Sequence, residues 1–446
     1  MSQIWTALGH AMWRVEAKDA TLLFDPILSE TYHDGVFRVV PERTLDPALT
    51  RTGVIAISHR HPDHFDVESL SRLAQQDSER LVVSPDPLVL SACRRLGFRW
   101  VREWAPGTSL SLGHLTLVAT PSKAPVKEWG AILLSPGATA WNMVDADAGD
   151  PAGIPVLFAE LSQTAPQLRE GLDLLIARWQ PLQQVAAVIG SAGGFPRAMY
   201  ARELERVVAC RPKAVVPGAS GTGYADPHCW LSRHAYPVAE SRFLRDVSDL
   251  VPSAQRFPLE PGLKLVISDG TVSSERDPRV QVGSRDPRTY APFEIPPLQD
   301  PVDEDPSWEG RIEAWLESVV PQIHPTAARW KSPHPVILSL CVVFSSGVRE
   351  WNVEVTAGNV RVSRGERTDW DARVEIAASG LVRILDRISP WGRVLLSGQL
   401  RASNRAYRID GGLQPLPIPA IWLYLILPYE RVFEEWVEAE LRRRGV

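Results

Sequence analysis

Cysteine is scarce in this chain. Its 446 residues hold four, Cys93, Cys210, Cys229 and Cys341, and no two stand in a C-x-x-C pair. That spacing argues against a zinc ribbon or an iron–sulfur cluster. Basic residues are not in excess: 48 Lys and Arg against 53 Asp and Glu leave a net charge of -5. A nucleic-acid partner is therefore not expected. The N-terminus has no basic region followed by an apolar run, so no signal peptide is expected, and a reducing cytoplasm is the default location. The longest apolar stretch, Ile418 to Pro428, is shorter than the about 20 residues that span a bilayer. It reads as a buried element of a C-terminal domain, with a lipid- or partner-facing patch as the alternative. Repeats and low-complexity tracts are also missing. What remains is a chain long enough for a full core and about two domains. The 16 tryptophans are spread over both halves, so they read as core residues and mark no single ligand cage.

The richest segment is Val54-Ile-Ala-Ile-Ser-His59-Arg60-His61-Pro62-Asp63-His64. The apolar run Val54 to Ile57 predicts a buried strand of a parallel sheet. His59 and His61 share one side of extended chain, because side chains alternate. Asp63 and His64 follow in the loop. Asp66 is placed to cap a helix whose Val67, Leu70 and Leu73 fall on one face. Histidines and an aspartate clustered at a strand end point to metal: two imidazoles for one ion, with Asp63 and His64 turned toward a second.

This H-x-H-x-D-H pattern resembles the metallo-β-lactamase fold family. Leu8-Gly9-His10 and Leu22-Leu23-Phe24-Asp25-Pro26 look like that family's opening strands. The resemblance implies that Asp25 hydrogen-bonds and orients a metal-binding histidine or the motif loop; otherwise it only caps the turn before Pro26. The alternation of apolar runs and amphipathic helices over residues 1–270 agrees with a layered α/β sandwich. Strands are expected at Leu81, Leu115 to Ala119, Ala131, Ala140 to Val144, Val185 to Ile189 and Ala214 to Pro217. Helices are expected around Pro87 to Leu96, at Gln167 to Trp179 and at Ala198 to Cys210. The fold class is thus α/β: an αββα metallo-β-lactamase sandwich with a smaller α+β C-terminal domain.

Residues 271–305 are rich in Arg, Asp and Pro, with Pro278, Pro287, Pro292, Pro296, Pro297 and Pro301, and read as a linker or surface strap. Residues 306–446 form the second unit. It opens with a helix at Trp308 to Val320 and continues with strands at Val336 to Phe344, Glu350 to Val355, Val360 to Ser363 and Ala372 to Ile376. The strand–helix order and Ser397-Gly398-Gln399-Leu400-Arg401 look like a sterol-carrier-protein-2-like domain, which implies an acyl or carrier-protein ligand.

In the metallo-β-lactamase fold, a bridging carboxylate and further ligands complete a two-metal site. Asp145, directly after the run Ala140 to Val144, is the expected bridge, with Asp147 as the alternative. His228, after Ala214-Val-Val-Pro217, is the expected last ligand, with His234 as the alternative. One departure stands out. Zinc hydrolases of this fold carry a third histidine after the strand that is here Leu115 to Ala119, whereas this chain has Pro121-Ser122-Lys123 and then Glu128. Glu128 is the nearest usable ligand. The resemblance then implies His59, His61, Glu128 and Asp145 on one metal, and Asp63, His64, His228 and Asp145 on the other.

Carboxylate in place of imidazole favours iron, with manganese or zinc as alternatives. A glutamate here resembles two oxygenase branches: the di-iron β-hydroxylases and the hydroxylases of CMP-N-acetylneuraminate. The expected activity is therefore a di-iron, oxygen-dependent oxygenase acting on a small-molecule substrate, with a separate reductase as electron donor. Asp63 and Glu128 would serve the chemistry, and Arg197 and Tyr200 would hold a polar or anionic substrate. The alternative is a zinc or manganese hydrolase of a lactone, amide or phosphodiester. A binding protein with an inactive site is a third class, which the intact His59-His61-Asp63-His64 set argues against.

Overall fold

The structure is a computed structural model of the whole chain. It describes residues 2–124, 126–163, 165–183, 195–219, 221–226, 228–283, 297–327, 335–356, 358–389, 391–404 and 429–446.

Two sheets pack face to face. The first has eight strands in the order Thr271–Arg276, Leu263–Ser268, Gln3–Gly9, Met12–Ala17, Ala20–Phe24, Val54–Ala56, Leu81–Ser84 and Trp100–Glu103. The second has seven, in the order Ser109–Leu112, Leu115–Thr120, Gly130–Ser135, Ala138–Asn142, Leu174–Ala177, Ala214–Pro217 and Gln255–Arg256. Alternation along the strands explains the layering. Trp5, Trp13, Phe24 and Ala56 of the first sheet meet Leu117, Leu133, Ala140 and Ile176 of the second in one buried core. The opposite faces bury Leu23, Ile55 and Val82 under the helices Val67–Gln76 and Pro87–Arg95, and Ile132, Leu175 and Val215 under Arg197–Cys210 and Glu240–Leu250. This is the αββα sandwich. Asp66 caps its helix as the spacing predicts, accepting from the Ser69 backbone N–H at 3.0 Å.

Three expectations change. The segment 167–179 is not a helix but a 3-10 turn, Pro166–Arg169, followed by the buried parallel strand Leu174–Ala177. A short, wholly apolar run is ambiguous in periodicity, and burial on both faces makes it a strand. The unit boundary does not fall at 270: Thr271–Arg276 is a strand of the first sheet, and Val280–Val282 pairs with Arg43–Leu45. On the far side, Asp300 accepts from the Ser379 backbone and hydroxyl at 2.6 and 2.7 Å, so that residue already belongs to the second unit. The expected strand at 185–189, the segment 190–194 and the apolar stretch 418–428 lie outside the described residues.

The second unit is a five-stranded mixed sheet in the order Asn359–Arg364, Gly347–Thr356, Val336–Phe344, Ala372–Ala377, Leu400–Asn404. The helices Trp308–Ala327 and Ala378–Leu385 pack on it through Ile312, Leu316, Leu381 and Ile384. The last helix, Tyr429–Arg443, leaves this unit. Its Trp436, Val437 and Leu441 join the core of the first unit beside Phe65, Leu70 and Val89. Among the described residues no helix is long and apolar enough to cross a membrane.

Candidate metal centre

The motif residues follow the C-terminal ends of parallel strands, where α/β sheets place their sites. Asp25 follows Ala20–Phe24, His59 follows Val54–Ala56, and Asp145 follows Ala138–Asn142. The backbone there is bent to serve the site. His10, Asp25 and Val144 have φ of 50°, 39° and 52°, a region that side-chain-bearing residues rarely occupy. Gly221 permits one close approach: a Cβ on it would lie 2.4 Å from the His10 backbone nitrogen.

Asp25 organises the loop. Fully buried, it accepts from the Ser58 backbone N–H at 2.7 Å and from the Ser58 hydroxyl at 2.8 Å. Its Oδ2 also accepts from His64 Nδ1 at 2.9 Å. These bonds assign the protons. Since Ser58 spends its hydrogen on Asp25, its oxygen accepts from His59 Nδ1 at 2.9 Å. In their neutral forms both His59 and His64 then carry a bare Nε2. His59 Nε2 lies 2.7 Å from His61 Nδ1. His64 Nε2 lies 3.1 Å from Asp145 Oδ2 and 3.6 Å from Asp63 Oδ2.

Two groups result, His59–His64–Asp145 and His10–Asp63–His64, each with ligand atoms within 4.8 Å of one another. Lone pairs and carboxylates converge in buried space, an arrangement that suits a cation. Burial opposes the charged form of His64, but Asp63 and Asp145 outweigh it and hold this imidazole well above the usual range. Burial and the neighbouring His64 and His61 push His59 well below it. Both ring nitrogens of the buried His10 lack a hydrogen-bond partner, although Nε2 lies 3.3 Å from Asp63 Oδ2. The donor set therefore fits divalent metal ions.

The expected site residues sort as follows. His59, His61, Asp63, His64 and Asp145 come together. Asp147, the alternative bridge, is instead ion-paired to Arg206 and accepts from the Gly149 backbone at 3.0 Å. Glu128 is buried and belongs to neither group. Its Oε1 takes the Ser122 hydroxyl and the Asp147 backbone N–H, and burial lifts its pKa to about 6 against that Ser122 bond. Asp145 adds to the lift, so Glu128 stands within electrostatic reach of the cluster.

His228 is also in neither group; burial, then Arg401 and Arg393, lower it to about 4. His234 packs its ring 5.9 Å from Trp230. Arg197 is exposed at a helix start, and Tyr200 is buried with its hydroxyl donating to Asp246 at 2.8 Å, so neither faces the site. Their helix packs its apolar side on the sheet.

Two residues escaped the sequence. His10 sits at a hairpin tip far from the motif, and its signal was a histidine after glycine in a β-turn. Arg178 directly follows the strand Leu174–Ala177 and lines a cavity with Asp63 and Asp145. Reading its segment as a helix hid that strand end.

Comparison with known proteins agrees with the sandwich and the loop. Residues 5–130 match the family model described as a beta-lactamase superfamily domain. A Mycolicibacterium smegmatis protein named as a Rieske 2Fe-2S iron-sulfur protein is 26% identical over 258 residues, 55% of this chain and 46% of that one. A metal-dependent hydrolase of Salinibacter ruber is 34% identical over 86 residues, 19% of this chain and 30% of that one. The chain thus spans less than half the length of these curated relatives. Among solved structures, CmlA, a diiron β-hydroxylase from Streptomyces venezuelae, aligns with TM-score 0.40 and 20% identity over 60% of this chain and 54% of that one. That likeness carries no argument about activity. The family match covers the opening strands and the histidine loop of the N-terminal unit.

Proposed function

We propose that this protein is a dinuclear metal enzyme, and that it is a di-iron, oxygen-dependent oxygenase of a small substrate. The observation that carries the finer reading is the corner after Leu115–Thr120. It offers no histidine, only Ser122 and the buried Glu128, whose pKa is about 6. An oxygen-rich donor set favours iron over a zinc hydrolase site. In this reading His59, His61, Asp145 and Glu128 hold one ion. Asp63, His64, His10 and the shared Asp145 hold the other. Bound iron would supply the redox chemistry with dioxygen that no side chain here has.

The chain's own residues set the frame. Asp25 and Ser58 fix the tautomers of His64 and His59. Arg60 is clamped by Asp86 at 2.5 and 2.8 Å, which steadies the loop between the two ligand pairs. Electrons would come from outside. The Rieske naming of the Mycolicibacterium relative supports an iron–sulfur partner, and this sequence has no Cys-x-His pair of its own.

A second reading is a zinc or manganese hydrolase of a lactone, amide or phosphodiester. The four histidines of the two groups and their neighbour, His10, His59, His61 and His64, favour it, as does the likeness to the Salinibacter hydrolase. The test is the metal content of protein produced with iron, manganese and zinc all available, followed by anaerobic ferrous loading and exposure to oxygen. About two irons per chain and a new oxygen-dependent absorption band are expected. Two zincs, or iron indifferent to oxygen, would make it a hydrolase.

A further inference from the structure

The three histidines of the motif loop are held in different ways. His59 and His64 are fully buried, and each has its Nδ1 bound 2.9 Å from a side-chain oxygen, of Ser58 and Asp25 respectively. His61 is half-buried, on the open side of the cluster with the part-exposed Asp63 and Asp145. Its backbone is fixed, because its carbonyl accepts from the His64 N–H at 3.0 Å and the Phe65 N–H at 2.8 Å. Those bonds leave the torsion of the ring undecided. The ring is turned so that Nδ1 faces His59 Nε2 at 2.7 Å.

A side chain from the far end of the sequence packs against this ring. Phe433, in the last helix Tyr429–Arg443, has its centroid 5.5 Å from that of His61, with the planes tilted by 39°. That separation suits an attractive aromatic pair. Phe433 is three and four residues from Trp436 and Val437, so all three share one helix face. Trp436, Val437 and Leu441 dock the helix in the core of the first unit. Trp436 lies edge-on to Phe65, the residue after His64, and Arg444 reaches Glu68 at 3.6 Å. Phe433, by contrast, is only part-buried. Its place on the docked face brings its ring to His61.

We propose that Phe433 is a positioning residue of the metal centre. It holds the His61 ring at the angle that keeps Nδ1 beside His59 Nε2, although neither ligand group among the described residues draws a member from its helix. The second unit thereby completes a site whose ligands all come from the first. The proposal rests on the metal-centre reading and applies equally to an oxygenase and a hydrolase.

The experiment loads the full-length protein with cobalt(II), whose visible bands report ligand geometry, and measures affinity by competition with a chelator. Wild type, Phe433→Leu, Phe433→Tyr and Trp436→Phe are compared. Trp436→Phe loosens the same helix and keeps the ring beside His61. Phe433→Leu should bind one cobalt ion about 2- to 10-fold more weakly and shift its visible band. Phe433→Tyr should restore both, and Trp436→Phe should leave the band unmoved. Failure of Phe433→Tyr to rescue, or the same shift in Trp436→Phe, would reduce Phe433 to a packing residue and overturn the proposal. Two cobalt ions held alike by wild type and Phe433→Leu would overturn this proposal alone. Wild type that takes up no cobalt would sink the metal-centre reading, and this proposal with it.

Discussion

His64 donates its Nδ1–H to Asp25 at 2.9 Å and so turns its Nε2 toward Asp145 at 3.1 Å. One bond thus sets the tautomer of a proposed ligand. In Asp25→Asn the amide tolerates the positive φ, but the anionic acceptor is gone. Metal affinity should fall about 10- to 100-fold, read by competition with a chelator. Unchanged affinity would reduce Asp25 to a turn residue.

His10 and His228 make opposite predictions. His10→Ala should lose about one metal ion per chain, since its ring nitrogens meet only Asp63. His228→Ala should keep both, because His228 is in neither ligand group. Elemental analysis of the two variants decides between them, and the reverse pattern would restore His228 as the last ligand.

Glu128→Ala tests the oxygenase reading at its root. If Glu128 binds metal, the variant should lose at least one ion per chain, measured under saturating iron. Retention of both ions would remove the case for an oxygen-rich site and favour the hydrolase.

His33 links stability to pH. It is buried against Phe37 and Trp436, and burial, opposed by Asp34 and reinforced by Arg393, lowers its pKa to about 4. An unfolded histidine takes up its proton below about 6.5, while the folded one does not until about 4. The unfolded state therefore binds more protons across that window. Stability is complete above pH about 6.5 and falls by up to about 1.4 kcal/mol per pH unit on the way down to 4. Denaturant midpoints at pH 7 and pH 5 should differ in wild type and differ less in His33→Asn. An equal slope in both proteins would assign the loss to other groups.

The last helix holds the two units together. Trp436 is 2% exposed, lies edge-on to Phe65 at 5.9 Å, and shares a core with Leu70 and Leu73. Nearby, Phe433 lies 5.5 Å from the His61 ring. Trp436→Ala should cost about 3–5 kcal/mol, measured by denaturant unfolding. A protein ending at residue 270 should aggregate, because it lacks this helix and the strands Thr271–Arg276 and Val280–Val282. A soluble, cooperatively folding fragment would show that the first unit closes its core alone.

The sequence by itself determined the sandwich and most of the candidate metal centre. His59, His61, Asp63 and His64 are neighbours in the chain, and an apolar strand ahead with a capped helix behind fixes where they project. Asp145 was legible for the same reason, as the polar residue that ends a buried strand. Only the tertiary structure decided the rest, because those residues meet across loops whose paths no local pattern encodes. His10 reaches Asp63 by the bend of a hairpin, and Arg178 faces the cluster because the second sheet lies against the first. Arg197, Tyr200 and His228 have suitable chemistry, but packing turned Tyr200 toward Asp246, kept His228 out of both ligand groups and left Arg197 in solvent. The closing helix was least legible of all. Its apolar face looks the same whichever core it fills, and only three-dimensional packing assigns it to the first unit.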